Sequence, residues 1–323
     1  MDLSNIYYLY EIGGKKNQED YIWPLPGKAT LQDRIFIVCD GVGGSENGEV
    51  ASRIITESMA AALVKIPAEK ISANLINSSL IAAKQKLVDF SKSHRLSPDM
   101  ATTFCMLMLS DNKTYISWCG DSRVYHFRNG EVLYKTSDHS LVNTLVKKGE
   151  ISEQDALSHP QRNVILKAIK ADETPVETED HWIEDVRSGD YFLLCTDGLF
   201  ENLTDKDIES LLKQNDRGNF DIIQSIQQYC LNKTRDNYSM YLIKVSSEKK
   251  LTPKRPNSLY LVLILILIVI FIIAGRKYFS SQNKQTEPAA PAVVIKKDSV
   301  MNNQDSIQVE IVPTPSKDSN SKP

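Results

Sequence analysis

The chain has almost no net charge of either sign: 38 Lys and Arg against 41 Asp and Glu leave a formal −3 over 323 residues. A nucleic-acid surface needs a basic excess or stripe, so that class of partner is excluded. Basic pairs such as Lys147-Lys148 are scattered and read as solvated surface. Cysteine is scarce, and Cys39, Cys105, Cys119, Cys195 and Cys230 are odd in number and fit no zinc spacing. Four of the five lie in apolar, strand-like runs, which points to buried free thiols in a reducing compartment rather than a disulfide framework. No Pro- or Gly-rich linker and no internal repeat interrupts the first 258 residues, so one large domain is expected there. Met1 to Asn5 lacks the basic region and apolar stretch of a secretory signal.

Long apolar runs are missing too, with one exception. Leu259 to Gly275 is 17 residues without a charge, rich in Leu, Ile and Val. As a helix it reaches roughly 25 Å, near the lower limit for spanning a bilayer. Tyr260 and Tyr278 suit the two interfaces, and Lys254, Arg255, Arg276 and Lys277 can snorkel outward. A buried core helix rarely lacks a polar face and carries basic pairs at both ends. The expected organisation is therefore a globular domain 1–247, a basic linker 248–258, a transmembrane helix 259–275 and a disordered polar tail 276–323. Five basic residues in 244–258 against three in 276–290 favour a cytoplasmic globular domain in a single-pass protein of the cell membrane.

What the globular part does have is a series of short acidic motifs. They are Asn17-Gln18-Glu19-Asp20, Cys39-Asp40-Gly41-Val42-Gly43-Gly44, Cys119-Gly120-Asp121-Ser122-Arg123, Cys195-Thr196-Asp197-Gly198 and Arg235-Asp236-Asn237. Asp40 and Asp197 follow the apolar runs Ile35–Val38 and Tyr191–Leu194. Carboxylates at strand ends are held rigidly and can converge, and hard divalent cations take oxygen ligands of this kind. Taken singly, each motif has a plainer reading. An Asp-Gly pair is usually a turn. Asp20 reads equally well as a turn residue or helix cap, Asp121 with Arg123 as a surface ion pair, and Asp236-Asn237 as a strand start. Taken together, several converging carboxylates would repel one another strongly, and that favours a metal cluster over bare acid–base work.

Around the motifs, periodicity predicts strands over 6–12 and 35–39 and an amphipathic helix over 49–64. A second helix uses Ile71, Leu75, Ile76, Leu80, Leu87 and Phe90. Strands follow over 102–109, 114–119, 123–128 and 131–134, with Asn129-Gly130 as a tight hairpin. Residues 140–180 read as an inserted flap. Thr204 to Asp207 caps a helix reaching about Gln214, another helix runs over 220–230, and 238–245 is a closing strand.

In their order, the five motifs resemble the metal-dependent Ser/Thr protein phosphatases of type 2C, across about residues 5 to 245, and with the apolar segment a membrane-anchored bacterial member. The resemblance implies an α+β fold, an antiparallel β-sandwich flanked by helices in four αββα layers. It implies two Mg2+ or Mn2+ ions and a weaker third. Asp40 would bridge the two main ions, Glu19 and the Gly41 carbonyl would complete one site, and Asp197 and Asp236 would hold the other. Asp121 would join Asp197 at the third, and Asp20 would orient the bridging water or hydroxide. Hydrolysis of phosphoserine and phosphothreonine in proteins by metal-bound hydroxide would follow, with a Ser/Thr kinase as counterpart. The absence of a Cys-x5-Arg loop agrees with a reaction lacking a phosphoenzyme.

The chain departs from that family in four places. Lys15 stands where many members carry a phosphate-binding Arg, and supplies charge without a bidentate fork. Val42 stands where animal members carry a His proposed as general acid. Ala101 and Lys170 each replace a Gly. His139 and the pair Thr102-Thr103 read as structural. Lys15 also motivates the rival reading, a phosphoprotein-binding module of low turnover that keeps the fold.

Overall fold

The computed structural model describes residues 1–42, 47–111, 113–215, 221–246 and 272–274. The chain divides into two units, Met1–Leu251 and Thr252–Pro323. Of the second unit only 272–274 are described, and they are helical. The remainder of the apolar segment 259–275, the linker 248–258 and the tail 276–323 lie outside the described residues. Among the described residues no helix is long and apolar enough to cross a membrane.

The first unit runs β1 (Leu3–Glu11), β2 (Tyr21–Trp23), β3 (Ile35–Cys39), α1 (Gly48–Leu63), α2 (Ala73–His94), β4 (Ala101–Thr102), β5 (Phe104–Leu109), β6 (Thr114–Cys119), β7 (Arg123–Arg128) and β8 (Glu131–Lys135). It continues with α3 (Leu141–Lys147), α4 (Glu153–Ser158), β9 (Ile169–Lys170), β10 (Glu179–Ile183), β11 (Tyr191–Cys195), α5 (Asp205–Asn215), α6 (Ile222–Cys230) and β12 (Tyr238–Val245). Two five-stranded sheets, β1-β12-β11-β7-β8 and β10-β6-β5-β3-β2, are antiparallel throughout. The short pair β4-β9 stands apart.

Side chains alternate across a strand, and here the alternation builds three cores. Phe192 and Leu194 of β11 meet Phe36, Val38, Leu107 and Ile243 between the two sheets. Tyr191, Leu193 and Cys195 of the same strand face the other way, into a core shared with Ile208, Leu212 and Ile226 of α5 and α6. Ile35, Ile37 and Cys39 of β3 likewise turn toward Ile55, Met59 and Leu80 of α1 and α2. The result is an α+β unit with helices outside both sheets. All five cysteines are free and buried.

Two expectations need correction. The strand expected over 102–109 breaks at Thr103, because the Thr103 N–H and hydroxyl turn to Asp40 rather than along a ladder. The region 140–180 is not a flap throughout: it contains α3, α4 and β9, and at its end β10 joins the edge of a sheet by pairing with β6. Residues Glu179, Asp180 and His181 are exposed, so this edge strand carries no apolar alternation to reveal it.

Antiparallel pairing has a consequence for the acidic motifs. Registers Tyr21↔Cys39, Val38↔Cys105, Phe104↔Cys119, Cys195↔Arg123 and Cys195↔Met240 put the start of β2, the end of β3, the β6–β7 turn, the end of β11 and the start of β12 at one end of the sandwich. At the opposite end β7 and β11 are locked by an ion cluster. Arg128 Nε and Nη2 each lie 2.8 Å from an oxygen of the fully buried Asp190, and His126 Nε2 lies 2.8 Å from Oδ2.

Burial alone would raise the Asp190 pKa. Hydrogen bonds from Arg128, His126 and the Arg187 N–H outweigh it and bring the pKa down to about 2. The folded pKa lies below the unfolded one, so this stabilisation is complete above about pH 4 and is lost as pH falls toward 2. Asp190→Asn should therefore lower stability at pH 7 by about 3 kcal/mol, the scale for breaking a buried pair. The gap from wild type should narrow between about pH 4 and 2, as read from urea midpoints by tryptophan fluorescence.

Candidate active site

Asp40 follows the last residue of β3, and its backbone is fixed from three directions. Its N–H donates to Thr103 Oγ1 (2.9 Å), and its carbonyl accepts from Thr103 N–H (2.8 Å) and Thr102 Oγ1 (2.8 Å). Thr103 Oγ1 is in turn 2.6 Å from Ser122 Oγ, which joins the Asp40 and Asp121 motifs. The threonine pair thus acts on the Asp40 backbone, which is the form its structural role takes. Gly41 N–H donates to the Glu19 carbonyl at 3.0 Å. A Cβ on Gly41 would lie 2.5 Å from the Gly48 carbonyl carbon and 2.8 Å from Glu19 O. Only a glycine lets the first turn of α1 and the Glu19 loop close on this point.

The Glu19 loop has its own clamp. Asn237, almost fully buried, accepts the Glu19 N–H at Oδ1 (2.8 Å) and donates from Nδ2 to the carbonyls of Ile12 (2.8 Å) and Asn17 (3.0 Å). Ser52 Oγ donates to the Glu19 carbonyl at 2.6 Å. Next along the loop, Asp20 Oδ2 accepts from Thr196 Oγ1 at 3.0 Å, while the buried Oδ1 has no hydrogen-bond partner. Thr196 and Asn237 stand inside the acidic motifs and Ser52 outside them, and nothing local in the sequence marks these clamping roles. An Asn following the Asp is the one available signal, and in the sequence it reads as a strand start.

Asp121 follows Gly120, whose φ of +108° suits glycine, and a Cβ there would stand 2.8 Å from Thr103 Cβ. His139 holds this turn with two hydrogen bonds: its N–H donates to Gly120 O (2.9 Å), and Nδ1 accepts the Gly120 N–H (3.1 Å). Nδ1 is therefore an acceptor, and Nε2 carries the proton facing Glu179 Oε1 at 2.9 Å. Asp121 Oδ1 is buried and unpartnered. Arg123 does not pair with Asp121; it forms a fork to Asp138, with Nε–Oδ1 at 2.9 Å and Nη2–Oδ2 at 2.7 Å.

Asp197 opens a 3-10 turn after β11, with Gly198 packed against the backbone of Asn237 and within 3.3 Å of Asp236 Cβ as measured from its own Cβ direction. Burial, then the charge of Asp236, raises the Asp197 pKa. Burial, then the charges of Asp20, Asp197, Asp121 and Asp236, raises the Asp40 pKa well above the carboxylate range. Burial likewise pushes Asp20 up to about 7 and Asp121 up to about 8, and neighbouring aspartates add to both. Asp40, Asp20, Asp197, Asp121 and Asp236 are thus within mutual electrostatic reach. Lys15 enters the same group: Nζ is 2.9 Å from Asp236 Oδ1 and 3.4 Å from Glu19 Oε2. Burial would lower the Lys15 pKa, but the two carboxylates dominate and hold it at about 12.

No group of three or more His, Cys, Asp or Glu side chains among the described residues is drawn into a ready coordination shell. The donor chemistry nonetheless fits a hard divalent cation: the oxygens are all carboxylate or carbonyl, two are buried and orphaned, and their repulsion calls for positive charge. Residues 43–46 of the glycine motif lie outside the described residues.

Residues 14–237 match the family described as Protein phosphatase 2C. The serine/threonine phosphatase stp of Listeria monocytogenes is 33% identical over 183 residues, covering 55% of this chain and 71% of that protein. The crystal structure of the Mycobacterium tuberculosis serine/threonine phosphatase PstP/Ppp superposes with a TM-score of 0.64 at 26% identity, over 76% of this chain and 100% of that one. The catalytic domain of a phosphatase PstP in complex with 2 manganese ions shares the fold, with a TM-score of 0.61 at 23% identity over 76% of this chain and 100% of that one.

Asn237 ties three backbone groups of the acidic loop, so its loss should be felt as unfolding free energy. Asn237→Ala is expected to cost about 2 kcal/mol, the scale for leaving buried polar groups unpaired. Asn237→Asp, which keeps the acceptor for Glu19 N–H but loses both donors and adds a negative charge, should recover none of it. Urea titration of both variants checks this.

Proposed function

The chain belongs to the protein phosphatase 2C family, and on that footing we propose that it hydrolyses phosphoserine and phosphothreonine in proteins, using two Mg2+ or Mn2+ ions and a weaker third. The observation that carries this is the convergence of Asp40, Asp20, Asp197, Asp121 and Asp236 at one end of the sandwich, where burial and the charges of the other four raise the Asp40 pKa. Asp40, Glu19 and the Gly41 carbonyl would hold one ion, with Asp40 shared, and Asp197 and Asp236 the other. Asp121 with Asp197 would hold the third. When bound, the ions supply a nucleophile at neutral pH and a clamp on the developing oxyanions of an in-line displacement.

The residues contribute beyond ligation. Asp20, anchored through Oδ2 to Thr196, offers its free Oδ1 to orient the attacking water. Lys15 brings a point charge to the phosphate dianion without the fork of an arginine. The Val42 side chain has no proton to donate, so the leaving hydroxyl takes its proton from water or another group. The natural substrates are phosphorylated proteins made by a Ser/Thr kinase. Membrane anchoring through Leu259–Gly275, with the phosphatase unit in the cytoplasm, rests on the uncharged run and its basic flanks.

The test is phosphate release from a phosphothreonine peptide by the full-length chain, with Mn2+, with Mg2+ and with EDTA. Release should require metal and should fall at least about 100-fold in Asp40→Asn, since losing even an outer-shell partner costs 10–100-fold. A folded wild-type protein that releases no phosphate with either metal would overturn the enzyme reading and leave a phosphoprotein-binding module.

A further inference from the structure

Lys15 does something in this site that its proposed contact with phosphate does not explain. Its ammonium lies between Asp236, 2.9 Å away, and Glu19, 3.4 Å away. These two carboxylates are assigned above to different metal sites. The ammonium is therefore on the oxygens of both sites at once.

The placement is built by the backbone rather than left to a long side chain. Lys15 N–H donates to Ile12 O at 3.3 Å, and the Ile12 carbonyl is also gripped by Asn237. Gly14 sits against Arg235, its Cβ direction 3.0 Å from the Arg235 carbonyl oxygen, and Gly13 has φ +59° with the Asp236 carbonyl directly over it. The two glycines let the loop lie flat on the strand start that carries Asp236, which sets the distance from the Lys15 backbone to that carboxylate. The Lys15 side chain is about a third exposed (32%), so it has a route out to solvent.

An ammonium has three N–H donors and no acceptor, and binds a carboxylate through the same lone pairs a metal would use. It also repels a divalent cation at short range. Sharing these carboxylates would hold an ammonium and a dication within a few ångströms of each other, and that repulsion sets the two in competition. Resting on the metal reading above, we propose that Lys15 is a built-in counter-ion that competes with the divalent ions for Asp236 and Glu19. It neutralises the acidic loop while metal is absent and must swing away as metal enters. The price is a weaker apparent metal affinity than the same ligand set would show alone. Reciprocity requires that metal, by displacing the ammonium, frees it for an incoming phosphate.

Calorimetric titration of Mn2+ into full-length, EDTA-stripped protein tests this with wild type, Lys15→Met and Lys15→Gln. Losing one charge-assisted competitor of about 1.5–3 kcal/mol should tighten Mn2+ binding about 10- to 100-fold in Lys15→Met. Lys15→Gln, which keeps weaker neutral donors, should fall between the two. Without metal both variants should melt below wild type, and with saturating Mn2+ they should melt with it. Equal or weaker Mn2+ affinity in folded variants would overturn the competitor role while leaving the phosphatase reading intact. Absence of Mn2+ binding by wild type and both variants would overturn the metal reading, and this inference with it. Should Lys15→Met fail to fold without metal, Lys15→Gln and its melting difference with and without Mn2+ decide the matter.

Discussion

Mutual repulsion of buried carboxylates is the constraint on which the rest of this structure turns. Asp40 feels Asp20, Asp197, Asp121 and Asp236; Asp20 feels Asp197 and Asp236. Such a cluster favours any movement that separates its members. What resists is a set of contacts that act on backbone rather than on the carboxylates. Thr102 and Thr103 fix Asp40, Asn237 fixes Glu19, and His139 fixes the turn before Asp121. The carboxylate oxygens are thereby left with lone pairs to spare, two of them without any partner. A fold selected only for stability would have satisfied those oxygens or replaced them.

The sandwich explains why backbone fixing is possible. All five aspartates stand just beyond a strand end, where the ladder has already set the chain's position but the side chain is no longer committed to a core. Antiparallel pairing then collects ends distant in sequence: Glu19 and Asn237, 218 positions apart, meet through a hydrogen bond. The ladder also transmits rigidity from the far end. The Arg128–Asp190–His126 cluster holds β7 and β11 in register at one extremity, and at the other those strands deliver Asp121 and Asp197. The acidic end can be electrostatically strained because the opposite end and three apolar cores are not.

Much of this is legible in the sequence, and what is legible is local. The apolar run of 191–195, the Asn129-Gly130 hairpin with φ of 53° and 70°, and the helix capped by Thr204 each declare themselves within a few residues. The five motifs did so by type and order. What escaped depended on partners far away. Strand β10 has an exposed polar half and exists because β6 offers it an edge. Arg123 looked like a partner for Asp121 two residues off, yet its fork closes on Asp138, 15 positions away. Asn237 reads as an ordinary strand start, and its role lies in the Ile12, Asn17 and Glu19 backbone groups that converge on it.

Position 15 is where the local and the distant readings diverge most. By motif the resemblance would make it a phosphate contact carrying a lysine where many members have arginine, and a lysine cannot offer two parallel donors to an oxyanion. By geometry the choice of lysine makes sense. A compact ammonium can lie between Asp236 and Glu19 and serve both, whereas a planar fork would commit to one carboxylate in a bidentate pair. A more weakly hydrated guanidinium so committed would also be harder to lure back to water when a divalent ion arrives. On the proposed role, a lysine here would give up a bidentate hold on phosphate in exchange for an internal charge that pairs with Asp236 and Glu19 and can still release them.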